Sequence, residues 1–432
     1  MASFFVSKTL CLLLYYKIYI IMKIKAFKGI RPTRDKAHLV ASRSYLSYSE
    51  EVLREKLLNN PYTFLHIIHP EESLGTKPLL GKEKYKKVRE KYLKFLSEGV
   101  LVKDHKETLY IYRQSSDGQS FIGVIAASSV DDYLNGVIKV HEQTIASREE
   151  MFTDYLESTG FNAEPVLLTY PKTSSINEWI ETYVKRRPEY EFTTTNRVLH
   201  HLWHVDSEND VAELKMLFKG VKTAYIADGH HRSASSVLCC QRKTHTDLPE
   251  DGNAPYNYFM SFLIDDEQMR IYDYNRLMRD INGLSVKDFM MKLDECFTLQ
   301  KMEAVYAPKL PAEMSMYIEG AWYSLIAKDC IYHPDDCISS LDAAMLSKHI
   351  LRPLLGVKDI RKDERVDFLD GKQGLVALQD AVDSGGYRVA FALKPVSIQQ
   401  LKRVADQKQT MPPKSTYIEP KLRSGLVIYS LE

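Results

Sequence analysis

Cysteine is scarce: six residues, Cys11, Cys239, Cys240, Cys296, Cys330 and Cys337, in a chain of 432. They are too few and too scattered to staple a fold of this size, and no C-x-x-C pair exists to open a zinc ribbon. Reduced thiols in a cytosolic compartment are the expectation. An excess of charge of one sign is also missing, with 58 Lys+Arg against 57 Asp+Glu and a formal net charge of +1. Binding nucleic acid by bulk electrostatics needs a basic surface, so a nucleic-acid partner is not expected. Long apolar runs are lacking as well. The run Leu10 to Tyr16 is far short of the ~20 residues that cross a bilayer, and no membrane partner is expected. What remains is ordinary for a soluble globular protein: 44% hydrophobic and 27% charged residues. At ~100–200 residues per domain, the length gives two to three domains.

Residues 1–21 read as an N-terminal extension, either disordered or upstream of a second start at Met22, with no small-x-small cleavage site behind the apolar run. Residues 22–126 read as an α/β region, 127–245 as a core, and 246–432 as a second α/β region. Ser49 before Glu50 and Glu51 caps a helix that ends near Asn59-Asn60-Pro61. Tyr62 to Ile68 is apolar and aromatic, the pattern of a strand. Helical spacing over Lys82 to Glu98 stops at Gly99. Thr108 to Arg113 and Ser120 to Ala126 form a hairpin about a Ser-Asp-Gly turn. Strands are expected at Val166 to Tyr170, Thr223 to Ala227, Tyr387 to Leu393 and Leu426 to Leu431, and a helix over Leu341 to Leu355. Phe259 to Ile264 with Gln268 to Tyr274, and Met314 to Tyr317 with Trp322 to Ala327, read as hairpins.

The sharpest chemical signal is the strand running into Asp228-Gly229-His230-His231-Arg232-Ser233. Gly229 permits a tight turn. The free N–H groups of the helix that follows, together with His230, His231 and Arg232, form an anion site, and Arg232 suits bidentate phosphate binding. A second signal is His141-Glu142, a carboxylate beside a histidine, the composition of a general base. The tail from Met411 to Gly425 carries Lys414, Lys421 and Arg423 with Ser415 and Thr416 in a turn-rich loop, which marks a site candidate. Gly75 to Lys82 has five residues between its glycines and Glu83 in place of a hydroxyl, so it is no phosphate loop. His200, His201 and His204 contain a helical i, i+4 pair, but no Glu follows the first His as a zinc protease requires. No metal-ligating residues are assigned.

The runs PYTFLHI, GVIKVHE, DGHHR and MPPKSTYIEPKLRSG, in this order along the chain, resemble the bacterial and protist family called domain of unknown function 1015, from about Lys23 to the C-terminus. One departure is Ala41-Ser42-Arg43-Ser44-Tyr45-Leu46, where many members read Ala-Pro-Pro-Tyr-Asp-Val. The central region also resembles the ParB/sulfiredoxin fold and, within it, the free serine kinases: His141-Glu142, a helix, Gly160, a Pro-led strand, then Asp228 to Arg232. The resemblance implies an α+β fold with a ParB/sulfiredoxin-like nucleotide-binding core at 127–245, an insertion at 171–221 that loops out, and mixed α/β flanks. It implies Glu142 as the base at an acceptor hydroxyl, with His141 and Asp228 beside it in catalysis. Asp228 would orient the turn or help hold magnesium. Gly229, His230, His231, Arg232 and Ser233 would cradle the nucleotide phosphates, and Lys414, Ser415, Thr416 and Arg423 would be further substrate or phosphate contacts.

The expected function is a cytoplasmic small-molecule kinase that phosphorylates free L-serine to O-phosphoserine with ADP or ATP and Mg2+, feeding cysteine biosynthesis. Its partners would be a nucleotide and a small amino acid, and the oligomeric state is left open. Two rivals stand beside it. One is a ParB-like nucleotide-binding regulatory protein without small-molecule transfer. The other is a metal-dependent hydrolase built on His141, Glu142, His230 and His231.

Overall fold

A computed structural model describes residues 21–70, 79–246 and 252–432. The expected extension lies outside these residues except for its last position, and the first half of Gly75 to Lys82 lies outside them too. Nine of the described strands between residues 24 and 265 form one mixed sheet. Its order is Ile138–Lys139, Ala224–Asp228, Val166–Tyr170, Tyr258–Asp265, Gln119–Ser129, Leu109–Ser116, Leu199–Val205, Tyr190–Thr193, with Ile24–Lys25 also on Gln119–Ser129. Val166–Tyr170 is buried at every position, which explains its unbroken apolar run: a strand covered on both faces need not alternate.

Helices Ser174–Tyr183, Glu208–Phe218 and His230–Thr246 cover one face through Ile176, Ile180, Leu214, Phe218 and Val237. The C-terminal segment covers the other through Leu401, Val404, Met411, Ile418, Leu422 and Leu426. Within it, helix Ile398–Asp406 starts at a capping box formed by Ser397 and Gln400. A second sheet, antiparallel throughout, has the order Phe297–Met302, Ala321–Ala327, Glu313–Ile318, Val389–Ala392, Tyr274–Met278, Val366–Asp370. The fold is therefore mixed α/β. Among the described residues no helix is long and apolar enough to cross a membrane, and Cys239, Cys240, Cys296, Cys330 and Cys337 are free thiols.

Local signals carry through. The Ser49 side chain caps Glu50–Asn59 by accepting from the Val52 N–H. Gly99 follows helix Gly81–Ser97 with φ 68°, and Asp117-Gly118 turns the first hairpin. Several readings change. Tyr62 to Ile68 is not a strand: Leu65–Ile68 is one helical turn with Leu65 and Ile67 buried, and a run this short carries no period to separate the two. Gln268 to Tyr274 does not fold back on Tyr258–Asp265. The Asp265 carboxylate accepts from the N–H groups of Glu267 and Gln268 at 2.9 and 3.2 Å, and this turn sends Arg270–Tyr272 to pair with Tyr417–Glu419. Only Tyr429–Ser430 of the last expected strand is extended, pairing with Phe161–Asn162.

The 171–221 insertion does not loop out. It adds strands Tyr190–Thr193 and Leu199–Val205 to the sheet, the latter antiparallel to Leu109–Ser116. The boundary expected after residue 126 falls inside Gln119–Ser129, and the one after 245 cuts off Tyr258–Asp265, a central strand. Long-range pairing of this kind leaves no mark in local composition.

His200, His201 and His204 lie on strand Leu199–Val205, not a helix. His200 is fully buried, and its Nδ1 is 2.7 Å from the Tyr112 hydroxyl. Burial pushes its pKa down to about 3, helped by the charge of Arg423. A base whose folded pKa lies below its ordinary 6.5 favours the folded state above pH 6.5 and withdraws that support as the pH falls toward 3. His200→Asn is therefore expected to flatten the acid side of a plot of melting temperature against pH. Parallel curves for variant and parent would show that this histidine does not drive acid unfolding.

Candidate active site

Strands Ala224–Asp228 and Ile138–Lys139 are parallel neighbours, with Ala224 opposite Ile138 and Tyr225 opposite Lys139. Both chains therefore leave the sheet at the same end, one into His141-Glu142 and the other into Gly229-His230. Val166–Tyr170 is antiparallel to Ala224–Asp228, so its lead-in, Glu164-Pro165, arrives at that end as well. Crevices outside strand termini in α/β sheets are where ligands bind.

The turn depends on Gly229. Its φ is 101°, and a Cβ there would stand 3.1 Å from Nε and Nη2 of Arg232. Helix His230–Thr246 starts at once, with the Ser233 N–H donating to the Gly229 carbonyl at 2.9 Å. The N–H groups ahead of Ser233 open this helix and have no carbonyl one turn back within it.

Arg232 is committed to the protein. Its Nη1 lies 2.5 Å from Glu164 and donates to the Pro165 carbonyl at 2.9 Å, while its Nη2 donates to Asp228 Oδ2 at 2.7 Å. Lys421 Nζ donates to Asp228 Oδ1 at 2.7 Å. Burial pushes the Asp228 carboxyl up, but the charges of Lys421 and Arg232 outweigh it and bring the pKa below its ordinary value.

His230, 5% exposed, places Nδ1 3.6 Å from Glu142 Oε2 and meets the His141 ring edge-on at 4.5 Å. Its Nε2 is buried without a hydrogen bond among the described residues. Desolvation pushes His230 down to about 4 and His141 well below its ordinary value, so both rings are neutral at physiological pH. The Glu142 side chain keeps 48% of its surface open. Even so, the surrounding protein removes part of its hydration, and Asp228 adds negative charge. Both raise its pKa, against the opposing pull of Lys414 and Lys421. A solvent-reachable carboxylate with a raised pKa, beside a neutral imidazole, is composed to accept a proton.

The C-terminal tail closes this end of the sheet. The Met411 N–H donates to the His141 carbonyl at 2.8 Å. Arg276, 1% exposed, donates to the Tyr274 carbonyl and, at 2.9 Å, to the Lys414 carbonyl. Lys414 adopts φ 58°, and its ammonium sits 5.0 Å from the centre of the Tyr274 ring. Burial lowers the Lys414 pKa, with Glu142 pulling the other way, which places that ammonium in the field of the carboxylate.

The expected site residues separate accordingly. His141, Glu142, Asp228, Gly229, His230, Arg232 and Lys414 come together. His231 belongs elsewhere: burial and then Arg148 lower its pKa, with Glu149 opposing, so its surroundings are helix Ala146–Thr159. Ser233 is fully buried and donates to the His230 carbonyl at 3.0 Å, because a small residue is needed where the helix packs on the sheet. The Ser415 hydroxyl donates to the Pro412 carbonyl at 2.7 Å and braces the turn. Thr416 follows it, half-buried. Arg423 turns away and donates to Thr194 and Asn196 at 3.1 and 2.6 Å. Of the tail cations, Lys421 reaches Asp228 where Arg423 does not. Glu164 and Arg276 also serve the site, and neither carries a motif that local reading would single out. The departing segment Ala41 to Leu46 touches the tail, with Ser42 and Ser424 exchanging backbone hydrogen bonds.

No group of three or more His, Cys, Asp or Glu among the described residues is arranged to hold a metal ion. Cations take both Asp228 oxygens, so the residues here do not fit a magnesium held by Asp228.

The chain belongs to the family described as "Protein of unknown function (DUF1015)", whose model matches residues 24–344. No curated protein matches it. Similar solved structures include a C-terminally truncated SbnI from Staphylococcus aureus, 14% identical with TM-score 0.37, covering 70% of this chain and 85% of that one. A free serine kinase variant in complex with AMP is 11% identical with TM-score 0.36, covering 70% and 91%. A conserved hypothetical protein from Pyrococcus furiosus is 14% identical with TM-score 0.36, covering 72% and 95%.

Proposed function

We propose that this protein is a small-molecule kinase that transfers a phosphoryl group from ADP or ATP to the hydroxyl of a small amino acid, free L-serine first among candidates. The observation that carries the reading is the approach of Glu142 Oε2 to within 3.6 Å of His230 Nδ1 at the end of two parallel strands. It puts a carboxylate base beside the opening of a helix. In the proposed reaction Glu142 takes the proton of the acceptor hydroxyl, whose oxygen bonds to the terminal phosphorus as the bond to the nucleotide's bridging oxygen breaks. The backbone N–H groups at Gly229 and His230, with Lys414 and Lys421, face the charge on the phosphoryl oxygens. Arg232 holds Asp228 and the Glu164 lead-in, which makes it a positioning residue for the turn. Phosphoryl transfer asks a protein for placement and charge above all, and this end of the sheet supplies both.

Purified protein with L-serine, magnesium and nucleotide labelled in its terminal phosphate is expected to yield labelled O-phosphoserine. Label released only as inorganic phosphate, or none released, would defeat the assignment. The pH profile gives a second check. Glu142 acts ionised and its pKa lies above the ordinary 4.5, so the rate is expected to fall on the acid side at a pH above that value. Lys414→Met removes a charge that favours the carboxylate, so the acid limb is expected to move to higher pH. An unmoved limb, or one moved to lower pH, would detach Glu142 from the titration.

A further inference from the structure

A cavity of about 480 Å3 lies between the helix at residues 342–351, the loop 357–361 and tail residues 410–413. Its size falls within the ~300–1,000 Å3 of small-molecule sites. Its lining divides in two. Ile331, Ile338, Met345, Leu351, Val357 and Ile360 make an apolar part. Lys348, Arg352, Lys358 and Arg361 bring four cations against the single carboxylate of Asp359. That is a local excess of three positive charges in a chain whose total is +1. Arg361 pairs with Asp359 at 3.1 Å, while Lys348, Arg352 and Lys358 form no ion pair among the described residues. Three unneutralised cations facing one concavity repel one another, and a bound anion relieves that repulsion.

The backbone gives an independent sign. Helix Asp342–Leu346 widens into a π-helical turn over Ser347–Leu351, with i to i+5 hydrogen bonds from Arg352 N–H to the Ser347 carbonyl and from Leu355 N–H to the Ile350 carbonyl, both 3.1 Å. Such turns are rare and frequently mark functional sites. Here the turn carries Lys348 and ends at Arg352, and both line the cavity. A salt-bridged surface helix would need neither the widened turn nor the unpaired charges.

We propose that this cavity binds a phosphate-bearing small molecule, a phosphomonoester or a nucleoside phosphate, at a site distinct from the Glu142 cleft. Lys348, Arg352 and Lys358 meet the phosphate, and the apolar part takes the organic portion. The wall it shares with the cleft is the tail. Met411 lines the cavity and donates its N–H to the His141 carbonyl, and the Pro413 carbonyl lies 3.5 Å from Arg276 Nη2. Occupancy on one side therefore bears on the tail segment that bounds the other, and any coupling must be reciprocal. The proposal stands whether or not Glu142 transfers phosphate.

The test is hydrogen–deuterium exchange of the full chain with ADP, O-phosphoserine or inorganic phosphate, each titrated separately. Slowed exchange over residues 347–361 and 410–413 is expected with at least one probe. In the Arg352→Ala, Lys358→Ala double variant the concentration needed is expected to rise about tenfold or more, since two charge-assisted contacts are gone. Both side chains are exposed, and a thermal melt verifies that the variant folds. Equal protection by inorganic phosphate assigns recognition to the phosphate alone, and protection by ADP only assigns it to the nucleoside as well; both support the site. No slowing over 347–361 with any probe at millimolar concentration, or the same midpoint in the double variant, overturns it. Slowing at 229–233 reports on the kinase cleft separately, so failure of one reading does not pass for failure of the other.

Discussion

Glu142→Gln is expected to lower phosphoryl transfer by about 100- to 10,000-fold, the range a positioned general base contributes, while nucleotide binding survives. The amide matches the carboxylate in shape, so the strand ends and the His230 contact at 3.6 Å keep their packing. It cannot accept the hydroxyl proton. The neutral side chain also removes one negative charge from a cleft that already holds Asp228, so an incoming phosphate meets less repulsion and affinity is expected to hold or improve. Thermal stabilisation by ADP measures the binding half, since a ligand specific to the folded state stabilises it by RT ln(1 + [L]/Kd). Labelled O-phosphoserine measures the other half. Turnover within threefold of the parent would remove Glu142 from catalysis. Lost turnover together with lost ADP stabilisation would make it a binding residue instead.

The parts of this site that were readable in the sequence are those whose chemistry is local. Asp228 to Arg232 announces itself because a strand, a glycine that must take φ 101° and a helix start fall within a few residues. His141-Glu142 gains meaning only from parallel pairing of Ile138–Lys139 with Ala224–Asp228, a contact across more than eighty residues that no local pattern encodes. The same holds for Arg232. Its residue type speaks for phosphate, yet its three partners, Glu164, Pro165 and Asp228, make it a brace. Tail residues went astray for a related reason. Lys414, Lys421 and Arg423 are alike as letters, and only the path of the chain over the sheet sends Lys421 to Asp228 and Arg423 to Asn196. In the fold, capped helices and tight hairpins were legible, since their signals sit in the residues that form them. Strands Tyr190–Thr193 and Leu199–Val205 were hidden, because what makes them strands is the open edge of Leu109–Ser116.

Arg276 should be the most consequential residue that touches no substrate. Its guanidinium is buried to 1% exposure, stacks 4.8 Å from the centre of the Phe368 ring, and donates to the Tyr274 and Lys414 carbonyls. Burial lowers its pKa below the ordinary arginine value, with Tyr274 and Asp273 opposing, which reflects how much hydration the group has surrendered. Arg276→Met preserves the stem over Phe368 but strips those carbonyls of their donor, and a buried acceptor without a partner costs about 1–3 kcal/mol. A total loss of about 2–6 kcal/mol is expected for the two carbonyls together. The damage should be directional. The turn at Pro413-Lys414 loosens first, so exchange and proteolysis in the tail should rise before the first sheet opens, and the KM for nucleotide should climb as Lys414 leaves the cleft. Arg276→Lys keeps the charge but lacks the planar fork that reaches several carbonyls at once, and should fall between parent and Met. A Met variant as stable as the parent, with tail exchange unchanged, would show that the carbonyls find other donors and that the tail is held by Met411, Ile418 and Leu422 alone.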